Sequence, residues 1–282
     1  MFFLIGLLAS CTPDVNKEEE IVNYDIDARV FIDKKQIGKY DTEYLEPIYG
    51  GLVPHHNVAH SMISDFYKTL KKDVELIILI GPNHGGKGPR YQVVGSSYMT
   101  HYGLVIPSPL YGELLNHRDV MKADDVMLRG EHSVGIHMNY IRANYEDTPV
   151  LTLLVHETGG IHGVDSLGKH IRDFIGDRNV VVIGSVDFSH DLSLELAKQK
   201  DQITKEIIRN KSYKRLFTLN NDYIDSPTTA YLTIMLLKEL GFDHQLLLNE
   251  GNAALILNRP NMEATTSYFV YGYGKSTSIQ SD

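Results

Sequence analysis

From about residue 45 onward, the chain alternates between short apolar runs and longer amphipathic stretches. Three runs are almost continuous and rich in β-branched residues, which is typical of strands buried on both faces of a sheet. They are Val74–Ile80, Val150–Val155 and Val180–Ser185. Shorter runs predict further strands at Gly50–Pro54, Gln245–Asn249 and Thr266–Tyr273.

The amphipathic stretches between these runs predict helices. Their expected bounds are Val58–Lys72, Ser133–Asn144, Val164–Ile175, Leu194–Ile208 and Pro227–Leu240. The last has the clearest ends, because Pro227 suits a first helical turn and Gly241 follows its final residue. Strands alternating with helices predict an α/β fold with a central, largely parallel sheet flanked by helices. We expect residues 45–282 to form one domain.

The first residues follow a different pattern. An apolar run ends at Cys11, the one cysteine of the chain. It is shorter than the roughly 20 residues of a membrane span and matches the apolar segment of a signal peptide. Leu8-Ala9-Ser10-Cys11 is similar to the lipobox of bacterial lipoproteins, although no lysine or arginine precedes it. We expect residues 1–11 to be a lipoprotein signal peptide with Cys11 as the lipidated residue.

Residues 12–44 lack sustained periodicity and contain the acidic run Glu18-Glu19-Glu20, which is typical of a tether. A lipidated Cys11 would hold the domain outside the cytoplasm, at the surface of a bacterial membrane. The alternative is an apolar N terminus with a buried cysteine.

Composition narrows the kinds of chemistry to consider. The net charge of −9, from 27 basic and 36 acidic residues, argues against non-specific nucleic-acid binding. A single cysteine excludes a disulfide framework and cysteine-rich zinc or iron–sulfur sites. Any metal chemistry therefore depends on carboxylates and on the thirteen histidines.

Histidines follow several of the predicted strands. His55, with His56 beside it, follows the first strand, His84 follows the second, and Asp187 and His190 follow a third. Because ligands bind at the carboxyl ends of the strands in such sheets, we expect these side chains to face one crevice. The alternative is that they are ordinary turn residues, with Asp187 pairing locally to His190.

A further pair of histidines occupies the predicted helix that begins near residue 133. His132 stands at its start, and His137 lies about 140° further around the helix, so both cannot easily face one small site. We favour His132 as the residue that reaches the crevice. The alternative is that it belongs to an ordinary helix start with an exposed acidic cap.

Two neutral imidazoles from His55 and His84 need a third, preferably anionic, partner to hold a metal ion. Two histidines and one carboxylate are the usual ligands of non-haem iron(II), and they leave positions open for oxygen and substrate. Asp225, which precedes the Pro227 helix, is a candidate for the third ligand. Its alternative role is that of an acidic residue stabilised by the helix dipole.

The same segments resemble the Memo family, whose microbial members are called AmmeMemoRadiSam system protein B. The similarity extends from about residue 45 to 274 and keeps the family's motif order. The matching motifs are Pro54-His55, Gly81-Pro82-Asn83-His84, Glu131-His132-Ser133 with the helix through His137, and Ser185-Val186-Asp187-Phe188-Ser189-His190.

The resemblance implies a fold like that of the class III extradiol dioxygenases, which cleave catechol rings at non-haem iron(II). It also implies a metal site of two histidines, at His55 and His84, and one cysteine. This chain has no cysteine near the third position, where Asp225 is the best candidate and Ser226 the alternative. The loss of sulfur weakens the case for copper(I) and makes the site more similar to that of the dioxygenases.

The resemblance further implies that His190 acts as an acid/base, with Asp187 beside it. We therefore expect a mononuclear metal site, with iron(II) favoured over copper or zinc, in an oxygen-dependent enzyme acting on a small substrate. His190, Asp187 and His132 are the expected catalytic residues. The alternatives are a non-catalytic module that binds a metal or a peptide, and a metal-dependent hydrolase.

Overall fold

The computed structural model describes residues 21–23, 47–156 and 160–276. The strands are β1 (Ile21–Asn23), β2 (Gly50–Val53), β3 (Leu76–Pro82), β4 (Tyr91–Val93), β5 (Ser97–Thr100), β6 (Gly103–Val105), β7 (Val120–Lys122), β8 (Val150–Val155), β9 (Val180–Ser185), β10 (His244–Asn252) and β11 (Ser267–Gly274). The helices are α1 (His60–Thr69), α2 (Tyr111–Leu114), α3 (Asp125–Leu128), α4 (His132–Asn144), α5 (Ile161–Ile175), α6 (Leu194–Arg209), α7 (Tyr213–Leu216), α8 (Pro227–Glu239) and α9 (Ala253–Ile256).

An eight-stranded sheet lies at the centre, in the order β10-β11-β2-β9-β3-β8-β4-β7. The four middle strands, β2, β9, β3 and β8, are mutually parallel. Towards one edge β11 is antiparallel to β2, and towards the other β4 is antiparallel to β8. The predicted α/β fold is therefore confirmed, with the parallel strands concentrated in the middle of the sheet.

Helices cover both faces of this sheet. Along β3, the side chains of Leu76, Ile78 and Ile80 pack into one apolar cluster, with α5 and α8, while those of Ile77 and Leu79 pack into another, with α1 and α4. Each such side chain contributes about 1.5–3 kcal/mol when fully buried. Burial on both faces explains why the middle strands appear in the sequence as continuous apolar runs.

The structure corrects the ends of several predicted elements: α5 begins at Ile161, three residues earlier than predicted, and β10 extends over His244–Asn252. β3 extends to Pro82 instead of ending at Ile80, because the backbone of Asn83 still donates to Val155 at the end of β8. The helix expected over Val58–Lys72 is shorter, because Leu70 adopts an extended conformation and pairs with Ile48.

The N-terminal predictions concern residues that lie mostly outside the described ranges. Cys11 and the predicted signal peptide lie there, so lipidation stays a prediction that the mass of the mature N terminus tests. Within the stretch predicted as a tether, β1 pairs in parallel with β5, and Val22 is buried in the core. No helix in the described ranges has the length and hydropathy that a membrane span requires.

Candidate metal centre

Three neighbouring parallel strands deliver the central residues of the site. His55, Asp187 and His84 each lie two residues beyond the last residue of β2, β9 and β3, which are adjacent in the sheet. The N terminus of α4 adds His132, and Asp225 lies two residues before α8. The carboxyl edge of the sheet and the starts of two helices therefore meet at one place.

A glycine allows α4 to begin so close to the sheet. A Cβ atom at Gly81 would lie 2.8 Å from both Ser133 Oγ and Val134 Cγ1, so any larger residue would displace the helix. Ser133 Oγ instead donates to the Pro82 carbonyl oxygen at 2.7 Å. The Gly81-Pro82 sequence thus fixes the start of α4 beside His84.

Asp225 lies closest to the centre of the site. Its Oδ2 atom is 3.2 Å from His55 Nε2 and 3.7 Å from His84 Nε2, yet it is buried and has no partner in hydrogen-bond geometry within the part of the chain that the structure describes. Ligand atoms that share one ion at 2.0–2.2 Å lie about 2.8–3.6 Å apart for octahedral or tetrahedral angles. These separations are close to those of a bound ion's ligands.

Backbone hydrogen bonds tie the acidic residues of the site together. The Asp187 amide donates to Asp225 Oδ1 and the Asp225 amide donates to the Asp187 carbonyl oxygen, both at 3.1 Å. Ser226, the alternative third ligand, is the N-cap of α8 and accepts from the Thr229 amide. The cap role leaves Asp225 as the residue whose side chain faces the histidines.

Glu131 holds His84 in place. This buried carboxylate accepts from the His84 amide and from His84 Nδ1, both at 2.8 Å, and it caps α4 by accepting from the Ser133 amide at 2.9 Å. Because Nδ1 donates to Glu131, the Nε2 atom of His84 is left to face Asp225. The predicted acidic cap is thus present, but it is buried and supports the site.

His55 and His190 are oriented in the same manner. His55 Nδ1 lies 3.0 Å from Ser185 Oγ, and its backbone amide donates to Asp187 Oδ1 at 3.1 Å. His190 donates from Nδ1 to the Phe188 carbonyl oxygen, which leaves its Nε2 atom 3.8 Å from Asp187 Oδ2. Each imidazole therefore presents Nε2 to the crevice.

His132 lies at the mouth of the site, with its side chain 49% exposed. Its ring stacks on that of His84, with centroids 4.3 Å apart, and approaches His55 edge-on at 5.2 Å. In the described part of the chain, His55, His84 and His132 offer ligand atoms that all lie within 4.8 Å of one another. His55 and His84 thus have two candidate partners for binding a metal ion: the buried Asp225 and the half-exposed His132.

The electrostatic environment differs sharply between the histidines. Burial lowers the pKa of His84, but the carboxylates of Asp225 and Glu131 outweigh it and raise that pKa to about 10. Burial also opposes protonation of His55, but Asp187 and Asp225 together outweigh it and raise the pKa of this histidine. Burial and the neighbouring imidazoles lower the pKa of His132 to about 4.

The pKa values of the carboxyl groups also shift in different directions. Burial alone would raise the pKa of Asp225, but the imidazoles beside it hold that pKa below its ordinary value. The pKa of Glu131 falls to about 2 despite burial, because of its bonds to His84. The pKa of Asp187 is raised, mainly by burial. Without a metal ion, the centre therefore contains an ionised Asp225 beside the imidazoles of His55 and His84, which favour the protonated form, and a neutral His132.

A cavity of about 380 Å³ opens beside His84 and Glu131. Lys87, Asp124 and Met127 also line it. Cavities of roughly 300–1,000 Å³ are of the size that binds small molecules. The site thus has an adjoining space for a small ligand.

The family model described as Memo-like protein matches residues 28–254, which include every candidate site residue from His55 to Asp225. The chain belongs to the Memo-like family. A MEMO1 family protein of Methanococcus vannielii is 25% identical to this Memo-like protein over 259 residues, 85% of each chain. Another, of Methanosarcina barkeri, is 26% identical over 235 residues, which cover 78% of this chain and 84% of the relative. The family inferred from the motifs is confirmed.

The structure brings together all six residues selected from the sequence of this Memo-like protein: His55, His84, His132, Asp187, His190 and Asp225. Their individual roles stay predictions. Sequence reasoning missed Ser185, which contacts His55 from the end of β9, and the support that Glu131 gives to His84. A polar residue closing a wholly apolar strand was the available signal for Ser185.

Proposed function

We propose that this Memo-like protein binds one divalent metal ion, iron(II), through His55, His84 and Asp225. One observation carries the proposal: among the described residues the buried Asp225 Oδ2 atom has no partner in hydrogen-bond geometry, while two imidazole Nε2 atoms face it at 3.2 and 3.7 Å. A buried carboxylate oxygen needs a cation beside it, and a metal ion would take the place of the protons that the two imidazoles carry in the metal-free protein. Nitrogen and oxygen donors without sulfur favour iron(II), with zinc and copper as alternatives.

Bound iron(II) would supply a centre with open positions for oxygen and for a chelating substrate. His190, whose Nδ1 atom is occupied by the Phe188 carbonyl oxygen, has Nε2 free to accept or donate a proton. Asp187 Oδ2 lies 3.7 and 3.8 Å from the Nε2 atoms of His55 and His190, close enough to pair with either ring when that ring is protonated. His132 is placed to contact a substrate entering from the mouth.

A second candidate function is metal binding without turnover. It is favoured by His132, which brings a third imidazole within 4.8 Å of the other two. If His132 and Asp225 both bound the ion, four protein ligands would complete a tetrahedral site and leave no open position. In that case His132→Ala would weaken metal binding as strongly as His84→Ala does, whereas a substrate-contacting His132 predicts metal affinity close to wild type.

Anaerobic titration with iron(II) tests the proposal directly. We expect about one ion per chain for the wild type and no specific binding for His84→Ala, which removes a central ligand. His162→Ala is the matched control, because His162 is an exposed residue of α5 and should bind iron normally. Stoichiometric iron in His84→Ala would contradict the ligand assignment. Oxygen uptake with a panel of catechols then separates an enzyme from a binding module.

Metal uptake at pH 6 is expected to release about two protons per ion. At this pH His55 and His84 are protonated in the metal-free protein, because both pKa values are raised, and each must lose its Nε2 proton to bind. His132, with its pKa near 4, is already neutral and contributes none. Affinity therefore rises with pH. Calorimetry in buffers of different ionisation enthalpy measures the number of protons released per bound ion. Release of no protons would show that His55 and His84 are not the ligands that lose them.

A further inference from the structure

His137 is fully buried and is connected to His55 of the candidate metal centre through Ser185. The proposed function does not yet give it a role. His137 Nε2 is 3.1 Å from Ser185 Oγ, and its Nδ1 atom is 3.1 Å from the Tyr67 hydroxyl. Ser185 in turn contacts His55. Burial lowers the pKa of His137 to about 3, so this ring is neutral. We call Tyr67, His137 and Ser185 the buried relay.

The contacts of Ser185 determine where the hydrogens of the buried relay lie. Ser185 Oγ approaches the Ser133 carbonyl oxygen, which can only accept, so the single hydroxyl hydrogen is donated there. The other two neighbours of Ser185 Oγ must then be donors. His55 therefore carries a hydrogen on Nδ1, and His137 carries one on Nε2.

The same reasoning fixes the outer end of the buried relay. With its hydrogen on Nε2, His137 accepts at Nδ1 from the Tyr67 hydroxyl. For His55, a hydrogen on Nδ1 leaves the Nε2 lone pair directed to the space beside Asp225 Oδ2. The other tautomer would put a hydrogen where the ion must bind, and its lone pair would face away from the site.

We propose that Ser185 and His137 are positioning residues that hold His55 as the Nδ1-protonated tautomer. The N–H of His137 occupies one side of Ser185 Oγ, and the Ser133 carbonyl oxygen takes the hydroxyl hydrogen on another. Ser185 therefore does not turn its hydrogen towards His55 Nδ1. The consequence for metal affinity rests on the proposed function, but the tautomer itself belongs to the metal-free fold.

Nitrogen-15 NMR of histidine-labelled, metal-free protein tests this proposal at a pH high enough for His55 to be neutral. We expect the His55 signals of the Nδ1–H tautomer in the wild type and in His137→Gln, because a glutamine amide can stand in for the Nε2 donor. In His137→Phe the Ser185 hydroxyl loses the donor that holds its orientation and can turn its hydrogen from the Ser133 carbonyl oxygen to His55 Nδ1, so we expect a shift towards the Nε2–H tautomer. Metal affinity should fall about 10–100-fold in His137→Phe, the usual effect of losing a supporting partner, and recover in His137→Gln.

Two further variants separate positioning from general damage to the core. Tyr67→Phe removes a buried hydrogen bond at the outer end of the buried relay, and we expect lower thermal stability with an unchanged His55 tautomer. Ser185→Ala removes the contact to His55 itself, and serves if His137→Phe does not fold. It should lose the tautomer preference.

The proposal is overturned if wild-type His55 is the Nε2–H tautomer, or if folded His137→Phe and Ser185→Ala both keep the Nδ1–H form. Its failure is distinguishable from that of the proposed function. A wild type that shows the Nδ1–H tautomer but binds no iron(II), zinc or copper supports the buried relay and refutes the metal site.

Discussion

Replacing Asp225 with asparagine is expected to lower the affinity for iron(II) by more than about 100-fold, beyond the usual effect of losing a residue that only supports a ligand. The substitution keeps the size of the side chain but removes the anionic oxygen that faces His55 and His84 at 3.2 and 3.7 Å. The two imidazoles then lack the negative charge that favours a divalent ion between them. Anaerobic titration measures the loss.

The control for this variant is Asp222→Asn. Asp222 lies on the same loop, is about half exposed and pairs with Lys200 at 3.3 Å, away from the histidines. We expect Asp222→Asn to bind iron(II) as the wild type does. The asparagine of Asp225→Asn can still accept from the Asp187 amide, so the fold should be retained. Wild-type affinity in Asp225→Asn would refute its role as a ligand.

Replacing Glu131 with glutamine is expected to reduce metal affinity about 10–100-fold and to reduce the free energy of unfolding by about 1–2 kcal/mol. The carboxylate accepts three N–H groups, two from His84 and one from the Ser133 amide at the start of α4. A glutamine side chain has one acceptor oxygen, and its amide nitrogen would face a donor. Denaturant unfolding and metal titration measure the two effects.

Both effects should appear together in Glu131→Gln, because one side chain performs both tasks. Glu113→Gln is the matched control, since Glu113 is an exposed residue of α2 whose carboxylate accepts from the exposed Asn116. A stability loss without weaker metal binding would show that Glu131 is a helix cap alone. Unchanged stability and affinity would show that Glu131 supports neither the metal site nor the start of α4.

The middle of the fold was predictable because burial on both faces leaves a strong pattern. β8 and β9 have the bounds that their apolar runs indicate, and α8 begins at the predicted Pro227. The short strands β4 to β7 were not predicted. They contain three or four residues each, too few for a periodicity to appear. The partners of β4 are also distant in sequence, although β5 and β6 are neighbours that pair with each other.

Some residues of the candidate site could likewise be predicted from the sequence and others could not. His55 and His84 could be found because each follows an apolar strand, and β2 and β3, parallel on either side of β9, end at the same edge of the sheet. The roles of Ser185 and His137 could not be found, because they arise from contacts between residues about 50 or 130 positions apart. Spacing along α4 showed only that His132 and His137 face different directions.

Anomalous diffraction from crystals loaded with iron(II) without oxygen would locate the ion and its ligands. We expect one peak at the iron absorption edge, about 2.0–2.2 Å from His55 Nε2, His84 Nε2 and an oxygen of Asp225. A peak bound by His55, His84 and His132 with Asp225 out of contact would contradict the ligand set. Absence of any peak at this edge of the sheet, in crystals that contain iron elsewhere, would contradict the metal site itself.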